Sequence, residues 1–452
     1  MVVSRQSVRP RHDGSNAARG TALVLGAASI LVAFTAANPV RAEPVPASPG
    51  WRPTSWWLQL RTTGYAFQTD DGSGATLDRF GAYQSFDGAV TGLADGRVGF
   101  HASGRFADDL YLEQGTTDRS RLTSGYLDAR LVRRVSARFG RQFIQQGAMG
   151  LTLDGLLLTA RPARGCDVAL WGGARAPLSH EVRAGSVGDD ATLGARVTAT
   201  PIAGTRASAS WGYRERGGRV AARPLGVEAS ATPWRGIEAT GRAAYDLERN
   251  VWDRAEALAR WKPSPDLPVV AIQVVDRRPA IDAISYFARF NGIERARIAR
   301  TTVRYERADR FGAEAEYVGT FVDERTSARI GAAFLAPIGR VGYSMRVGDA
   351  GEESQMYGDV SVAATPWLRV EGGATFASYA LLENAADSDE RDLTTAFGRL
   401  RATPRQGLGV TLEVQSLDDP LFSQDVRVLG GVDLVMGRGS GRLGLDRGPW
   451  LR

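Results

Sequence analysis

One cysteine, Cys166, stands in the whole chain of 452 residues, so no intramolecular disulfide can form. Histidine is nearly as scarce: His12, His101 and His180 are the only three. A His/Cys metal site has too few ligands to be built from that stock. Lys262 is the only lysine, and arginine supplies every other basic side chain. Beyond the N-terminus no apolar run is long enough for a membrane-spanning helix. No glycine-rich loop sits in the strand-to-helix setting that cradles phosphate.

The N-terminus has an export pattern. Arg5, Arg9, Arg11 and Arg19 precede an apolar stretch from Thr21 to Ala37, and Val40–Ala42 offers a small-residue cleavage site before Glu43. Residues 1–42 are therefore expected to be a cleaved signal peptide. They hold five Arg and one Asp, so without them the net charge falls from +6 to +2. The basic balance belongs largely to the leader, and no nucleic-acid partner is implied.

What is present is a turn that repeats. "TATPIAG" (Thr198 to Gly204), "SATPWRG" (Ser230 to Gly236), "AATPWLR" (Ala363 to Arg369) and "RATPRQG" (Arg401 to Gly407) share one form, with looser copies around Pro162, Pro263 and Pro337. The marker prolines are spaced 29 to 39 residues apart, with one double gap of 74. Such a unit holds two strands of about ten residues, the length of a tilted strand that crosses a bilayer. Proline ends a strand because it cannot donate to the ladder.

Between the markers the sequence alternates. Ile237, Ala239, Gly241, Ala243, Tyr245 and Leu247 fall on one side of a strand, and Glu238, Thr240, Arg242, Ala244, Asp246 and Glu248 on the other. Short turns are expected near 95, 133, 163, 202, 234, 265, 308, 338, 367 and 405. Ten turns with both termini on one side imply about 22 strands, within a range of 18–24. The first is expected over Trp56 to Phe67 and the last over Val426 to Met436. Longer polar loops are expected opposite, among them 145–152, 176–189, 278–296, 322–327 and 417–425.

So many amphipathic strands with almost no helix to cover them exclude a soluble α/β fold, and closure removes the sheet edges. The expected fold is all-β: a transmembrane antiparallel up-and-down β-barrel without a plug domain. Its parts are a periplasmic N-terminal segment at 43–55, the barrel at 56–437 and a C-terminal tail at 438–452. Trp234, Trp261, Trp367 and Phe311 lie beside the short turns, and Trp211, Tyr245, Tyr317 and Phe376 lie farther along, as two aromatic girdles would require. The chain ends "RGPWLR", without a terminal aromatic on the last strand, so the closing strand is expected inside the sequence.

The segment "LDARLVRRVSARFGRQFIQQGAMGLTLDGLLL" (Leu127 to Leu158) carries a likeness. With the barrel pattern, the chain resembles Gram-negative outer-membrane porins. Through Gly140 to Gln142, Gly147 and Leu153 to Gly155 it is also similar to the alginate-export family. That resemblance implies an open, Arg-lined conduit.

Alternation assigns a set of pore-lining residues: Asp128, Arg130, Arg138, Glu238, Arg242, Asp246, Arg300, Arg304, Glu314, Glu316, Arg346, Arg369, Glu371, Arg399, Arg401 and Glu413. Opposed charges across a bore set ion preference. The same charges can pair between neighbouring strands and hold register. The long loop 278–296 has an apolar core, and Ile284, Tyr286, Phe287 and Phe290 are the candidate constriction.

No catalytic constellation, cofactor or metal site is expected. A Ser–His pair could involve only His101 or His180, and loop or structural histidines are the ordinary explanation. Acidic pairs such as Asp189–Asp190 and the group Asp387, Asp389, Glu390 and Asp392 read as solvated loop charges.

The expected function is an outer-membrane channel for small polar or charged solutes. A polysaccharide export conduit and a non-transport structural barrel are the alternatives. The expected partners are the lipid bilayer and lipopolysaccharide, the solutes, and the barrel-assembly machinery. Solute identity and oligomeric state stay open.

Overall fold

The computed structural model describes residues 55–438, apart from 71–75, 110–119, 178, 180, 265, 279–294, 308–310, 350, 381–390 and 420–421. The expected signal peptide, the segment before the barrel and the C-terminal tail lie outside the described residues.

Strands follow one another in chain order: β1 (Ser55–Asp70), β2 (Thr76–Gly92), β3 (Val98–Asp109), β4 (Arg121–Val132), β5 (Val135–Gln146), β6 (Met149–Ala163), β7 (Cys166–Arg175) and β8 (Asp190–Ala199). Next come β9 (Thr205–Arg216), β10 (Arg219–Ala222), β11 (Pro224–Trp234), β12 (Ile237–Asp246), β13 (Val251–Trp261), β14 (Val269–Arg277), β15 (Ala296–Arg307) and β16 (Phe311–Val322). The chain finishes with β17 (Arg325–Ala336), β18 (Gly339–Gly348), β19 (Glu352–Thr365), β20 (Leu368–Ala380), β21 (Arg391–Arg405), β22 (Leu408–Asp419) and β23 (Phe422–Arg438).

Neighbours pair antiparallel, and β1 pairs with β23 from Trp56↔Arg438 to Gln68↔Val426, which closes the ring. The short β10 bonds to β9 on the same edge and in the same register as β11: Ala222 lies opposite Arg214, and Leu225 opposite Trp211. It extends that edge and adds no place, so the ring has 22 strands. Among the described residues there is no plug domain.

The alternation explains the wall. Large apolar side chains stand exposed on one face of strand after strand, for example Leu193 and Val197 on β8, Ile330 and Phe334 on β17, and Val341, Tyr343 and Met345 on β18. A water-soluble sheet does not leave such a continuous apolar face uncovered. Trp234, Trp261, Trp367 and Phe311 are exposed beside the short turns, while Trp211, Tyr317 and Phe376 are exposed farther along their strands. In a closed barrel every backbone group between strands is satisfied by a neighbour, which lets the apolar face lie in lipid.

The short turns fall at strand junctions where the proline markers put them; 308–310 lies outside the described residues, between β15 and β16. Three expected long loops are instead tight reversals. β5 and β6 are joined by Gly147 and Ala148, β16 and β17 by Asp323 and Glu324, and β22 runs to Asp419 before β23 starts at Phe422. The polar residues near 145–152, 322–327 and 417–425 continue the ladders, because strands can stay paired beyond the apolar band. Strand lengths accordingly reach 17 residues in β2 and β23.

Candidate functional site

Among the described residues one part of the wall departs from a single layer. Gly140 on β5 pairs with Gly155 on β6, and Gly155 with Gly173 on β7. A row of glycines thus crosses three strands. Gly140 has φ 123, a region that side chains resist. At Gly155 a Cβ would overlap the backbone of Gly172 and Gly173. Without side chains the three backbones can crowd together, and the sheet folds along this line.

Beyond the crease the tip of the β5–β6 hairpin folds over the inner face of the next strands, β8, β9 and β11. Ala148 N–H donates to Ser210 Oγ on β9 at 3.1 Å, and Arg196 on β8 reaches Gln146 Oε1 at 3.5 Å. A Cβ on Gly212 would strike Met149, and one on Gly226 would strike Ala148. These contacts skip intervening strands, so they must run along a chord inside the ring. They therefore identify the inner face: it is the one bearing Arg196, Ser210 and Gly212, opposite exposed Leu193 and Trp211.

Under the infolded hairpin lies the main apolar core: Ile144, Met149, Leu151, Leu153, Leu157, Ala169 and Trp171 are all buried. Here the inward positions of β6 are leucines instead of charges. Next to it, a cavity of ≈ 470 Å³ is lined by Arg196, Arg206, Ser208, Glu228, Arg242 and Glu256, among others. Arg196 bonds Glu228 Oε2 at 2.5 Å and Ser208 Oγ at 3.0 Å.

Around the rest of the ring the charged side chains alternate with exposed apolar ones on their own strands, and most are paired. Arg138 meets Asp128 at 3.2 Å, Arg242 meets Glu256 at 2.6 Å, and Arg260 lies 3.7 Å from Glu238. Arg300 and Arg329 converge on Glu316, and Arg304 reaches Glu314 at 3.5 Å. Arg346 pairs with Glu353, and Arg369 donates to Ser361 Oγ at 3.0 Å. Arg399 joins Glu371 and Glu413, and Arg401 lies 3.4 Å from Glu371. Among the described residues Arg130 has no ion-pair partner. Partners missing from the expected set include Arg61 with Asp433, at 2.7 Å across the closing seam.

Asp246 differs from the other expected wall charges. It is 1% exposed and accepts from the N–H groups of Arg223 and Glu248 and from Arg249 Nε. It anchors the β12–β13 connection. His101, inside β3, has Nε2 at 3.0 Å from Asp87 Oδ1 without hydrogen-bond alignment, and Ser124 Oγ at 3.1 Å from Nδ1. Its ring stacks on Tyr126 at 5.0 Å, so this polar group ties three strands together.

The expected constriction residues Ile284, Tyr286, Phe287 and Phe290 lie outside the described residues. The β5–β6 hairpin, which does enter the bore, was not singled out by alternation. Its signal was there: Leu156, Leu157 and Leu158 are apolar on both faces of β6, and glycines recur at Gly140, Gly147 and Gly155.

No protein-family model matches the chain, and no curated protein does. Among solved structures it is similar to the P pilus usher (PapC) translocation pore, at 9% identity and a TM-score of 0.48, over 84% of this chain and 99% of that one. It is similar also to OccK11 (OpdR) of Pseudomonas aeruginosa, at 14% identity and a TM-score of 0.42, over 86% and 98% of the two chains. A third is the outer membrane protein OpdK of Pseudomonas aeruginosa, at 12% identity and a TM-score of 0.39, over 85% and 99%. By its own geometry the chain is a closed antiparallel β-barrel of 22 strands with a continuous apolar outer face suited to lipid.

Proposed function

We propose that this protein passes small polar or charged solutes through a bore lined by Asp128, Arg130, Arg138, Glu238, Arg242, Arg300, Arg304, Glu314, Glu316, Arg346, Arg369, Glu371, Arg399, Arg401 and Glu413. The observation that carries the reading is the infolded β5–β6 hairpin, whose tip stands inside the ring against Arg196 of β8 and Ser210 of β9. A constriction beside a charged wall sorts solutes by size and charge. Arg and acid pairs on neighbouring strands line the bore with mixed charge instead of one sign.

The same reading puts lipopolysaccharide and bilayer lipid around the apolar belt, a cleaved leader at the N-terminus, and insertion by the barrel-assembly machinery. It includes no enzymatic step.

Planar-bilayer recording tests it. The wild-type barrel is expected to conduct, and replacing Gln145 to Gly150 by a two-residue turn is expected to raise single-channel conductance severalfold. A folded wild type that never conducts overturns the channel, and an unchanged conductance in the folded deletion variant overturns the constriction. Liposome swelling with sugars and amino acids of graded size then reports the solute range.

A further inference from the structure

From β16 to β21 the inward residues stand in register across the wall. The middle row runs Glu314, Ala333, Gly342, Tyr357, Thr375 and Thr395, each opposite the next. One row toward the short turns, Arg340 lies opposite Asp359, Asp359 opposite Gly373, and Gly373 opposite Phe397. One row toward the long loops stand Glu316, Gly331, Ser344 and Gln355. Their outward neighbours, Ile330, Tyr343 and Met356 among them, are the exposed apolar residues of the belt.

Two aromatic rings lie against this wall. A Cβ on Gly342 would come within 2.5 Å of the Tyr357 ring, and one on Gly373 within 2.6 Å of the Phe397 ring. Each ring therefore lies over the bare backbone of a neighbouring strand, and each is half-buried. Arg340 and Arg399 flank them, with Cζ 5.6 Å and 5.4 Å from the ring centroids. That is beyond the roughly 3.5–4 Å of stacked contact, so the guanidinium groups do not cover the rings. β19 and β21 are two strands apart, which sets the rings roughly 10 Å from each other across the wall. Phe397 has no polar atom, and holding it on a wet wall costs free energy that a covering solute recovers.

The rings share a cavity of ≈ 420 Å³ with the charges around them, within the roughly 300–1,000 Å³ of small-molecule sites. Those charges neutralise one another. Arg340 Nε donates to Asp359 Oδ1 at 2.6 Å, Arg329 donates to Glu316 at 3.1 Å, and Glu314 lies 3.5 Å from Arg304. An ion therefore finds no excess of the opposite sign. The first pair still leaves the terminal N–H groups of Arg340 and Oδ2 of Asp359 for a solute. Ser344, Gln355 and Thr375 make no side-chain hydrogen bond among the described residues. A neutral pyranose complements both features. Its C–H face is apolar and covers a ring, and its hydroxyls both donate and accept. Vicinal hydroxyls match the two-pronged geometry of a guanidinium or a carboxylate.

We propose that the inner wall between β16 and β21 is a binding subsite for neutral sugars. Pyranose rings stack on Tyr357 and Phe397, and their hydroxyls bond Arg340, Asp359, Ser344 and Gln355. A disaccharide is long enough to touch both rings. The subsite rests on the reading of the bore as a solute channel and names a solute class for it.

Maltose titration tests it in two ways. In planar bilayers the ion current is expected to fall with maltose along a saturating curve, whereas a polyethylene glycol of equal mass lowers it without saturation. Calorimetric titration of maltose into the detergent-folded barrel reads the subsite without conduction. Tyr357→Leu and Phe397→Leu keep the glycines covered but remove the flat faces. Each should raise the half-saturating concentration severalfold, and the two together about tenfold. Gln355→Ala removes an amide that has no partner to strand and should raise it as well, and heat-modifiable gel mobility verifies that each variant is folded. A maltose response no different from the polymer's, or a saturation that none of the folded variants moves, overturns the subsite. Tighter saturation by glucuronate than by glucose overturns the neutral class. A barrel that binds maltose through the two rings and never conducts overturns the channel and leaves the subsite, so the two failures are told apart.

Discussion

Between β15 and β22 the wall is a single layer. Its inner charges pair across neighbouring strands, as in Arg300–Glu316–Arg329 and Arg340–Asp359, and its outer apolar side chains are left for lipid. Between β4 and β9 the same ring is two layers deep. There the hairpin folds in, the buried side chains collect, and the Arg141–Asp154 pair is 3% and 11% exposed. Both arcs share one antiparallel ladder. The difference comes from three glycines in register and from leucine at inward positions of β6. A barrel wall can therefore acquire a core of its own wherever its backbones are allowed to crowd.

The strongest way to break the comparison is at the crease. Gly155→Leu puts side-chain atoms into the backbone of Gly172 and Gly173, which cannot yield. The expected loss is several kcal/mol, and the heat-modifiable folded band should disappear. Gly398→Ala in the regular arc meets nothing within 4 Å and should leave that band unchanged, to within about 0.5 kcal/mol.

Arginine removal should separate the arcs next. Arg141→Ala strands a nearly buried Asp154 and is expected to cost about 3–5 kcal/mol in urea unfolding followed by tryptophan fluorescence. Arg340 pairs with Asp359 at 2.6 Å, but with side chains 57% and 37% exposed, so Arg340→Ala should cost less than about 1 kcal/mol. Equal losses would mean that the infolded sector is not a desolvated core.

A smaller contrast lies in the apolar side chains. Leu153→Ala opens a cavity under the hairpin and should cost about 2–5 kcal/mol. Ile330→Ala on the lipid face leaves no cavity, because lipid fills the space, and should cost less than half as much in the same unfolding experiment. The gentlest test sharpens the electrostatics of the regular arc. Arg399→Gln releases Glu371 and Glu413 and should shift the zero-current potential in a salt gradient toward cation preference by a few millivolts, with folding unchanged.

Some of this was legible in the residues and some was not. The markers at Pro201, Pro233, Pro366 and Pro404 located turns because proline and glycine act on their own backbone, whatever surrounds them. Alternation put Glu314 and Glu316 opposite Ala315 and Tyr317, since a strand has only two faces. The segments 322–327 and 417–425 are largely paired strand ends and not long loops, because a polar residue on a strand beyond the apolar band looks in sequence like a loop residue. Gly140, Gly155 and Gly173 could each be read as a turn or a weak strand position. Only their pairing across three strands makes them a crease, and pairing is a relation between distant segments.

The sequence by itself pointed to a closed barrel of about 22 strands with two alternating faces on each strand, because those follow from a period of two and from punctuation that acts locally. Tertiary structure alone decided where the wall folds inward and which charges meet. Those outcomes depend on register between strands, and register is set by the closure of the whole ring.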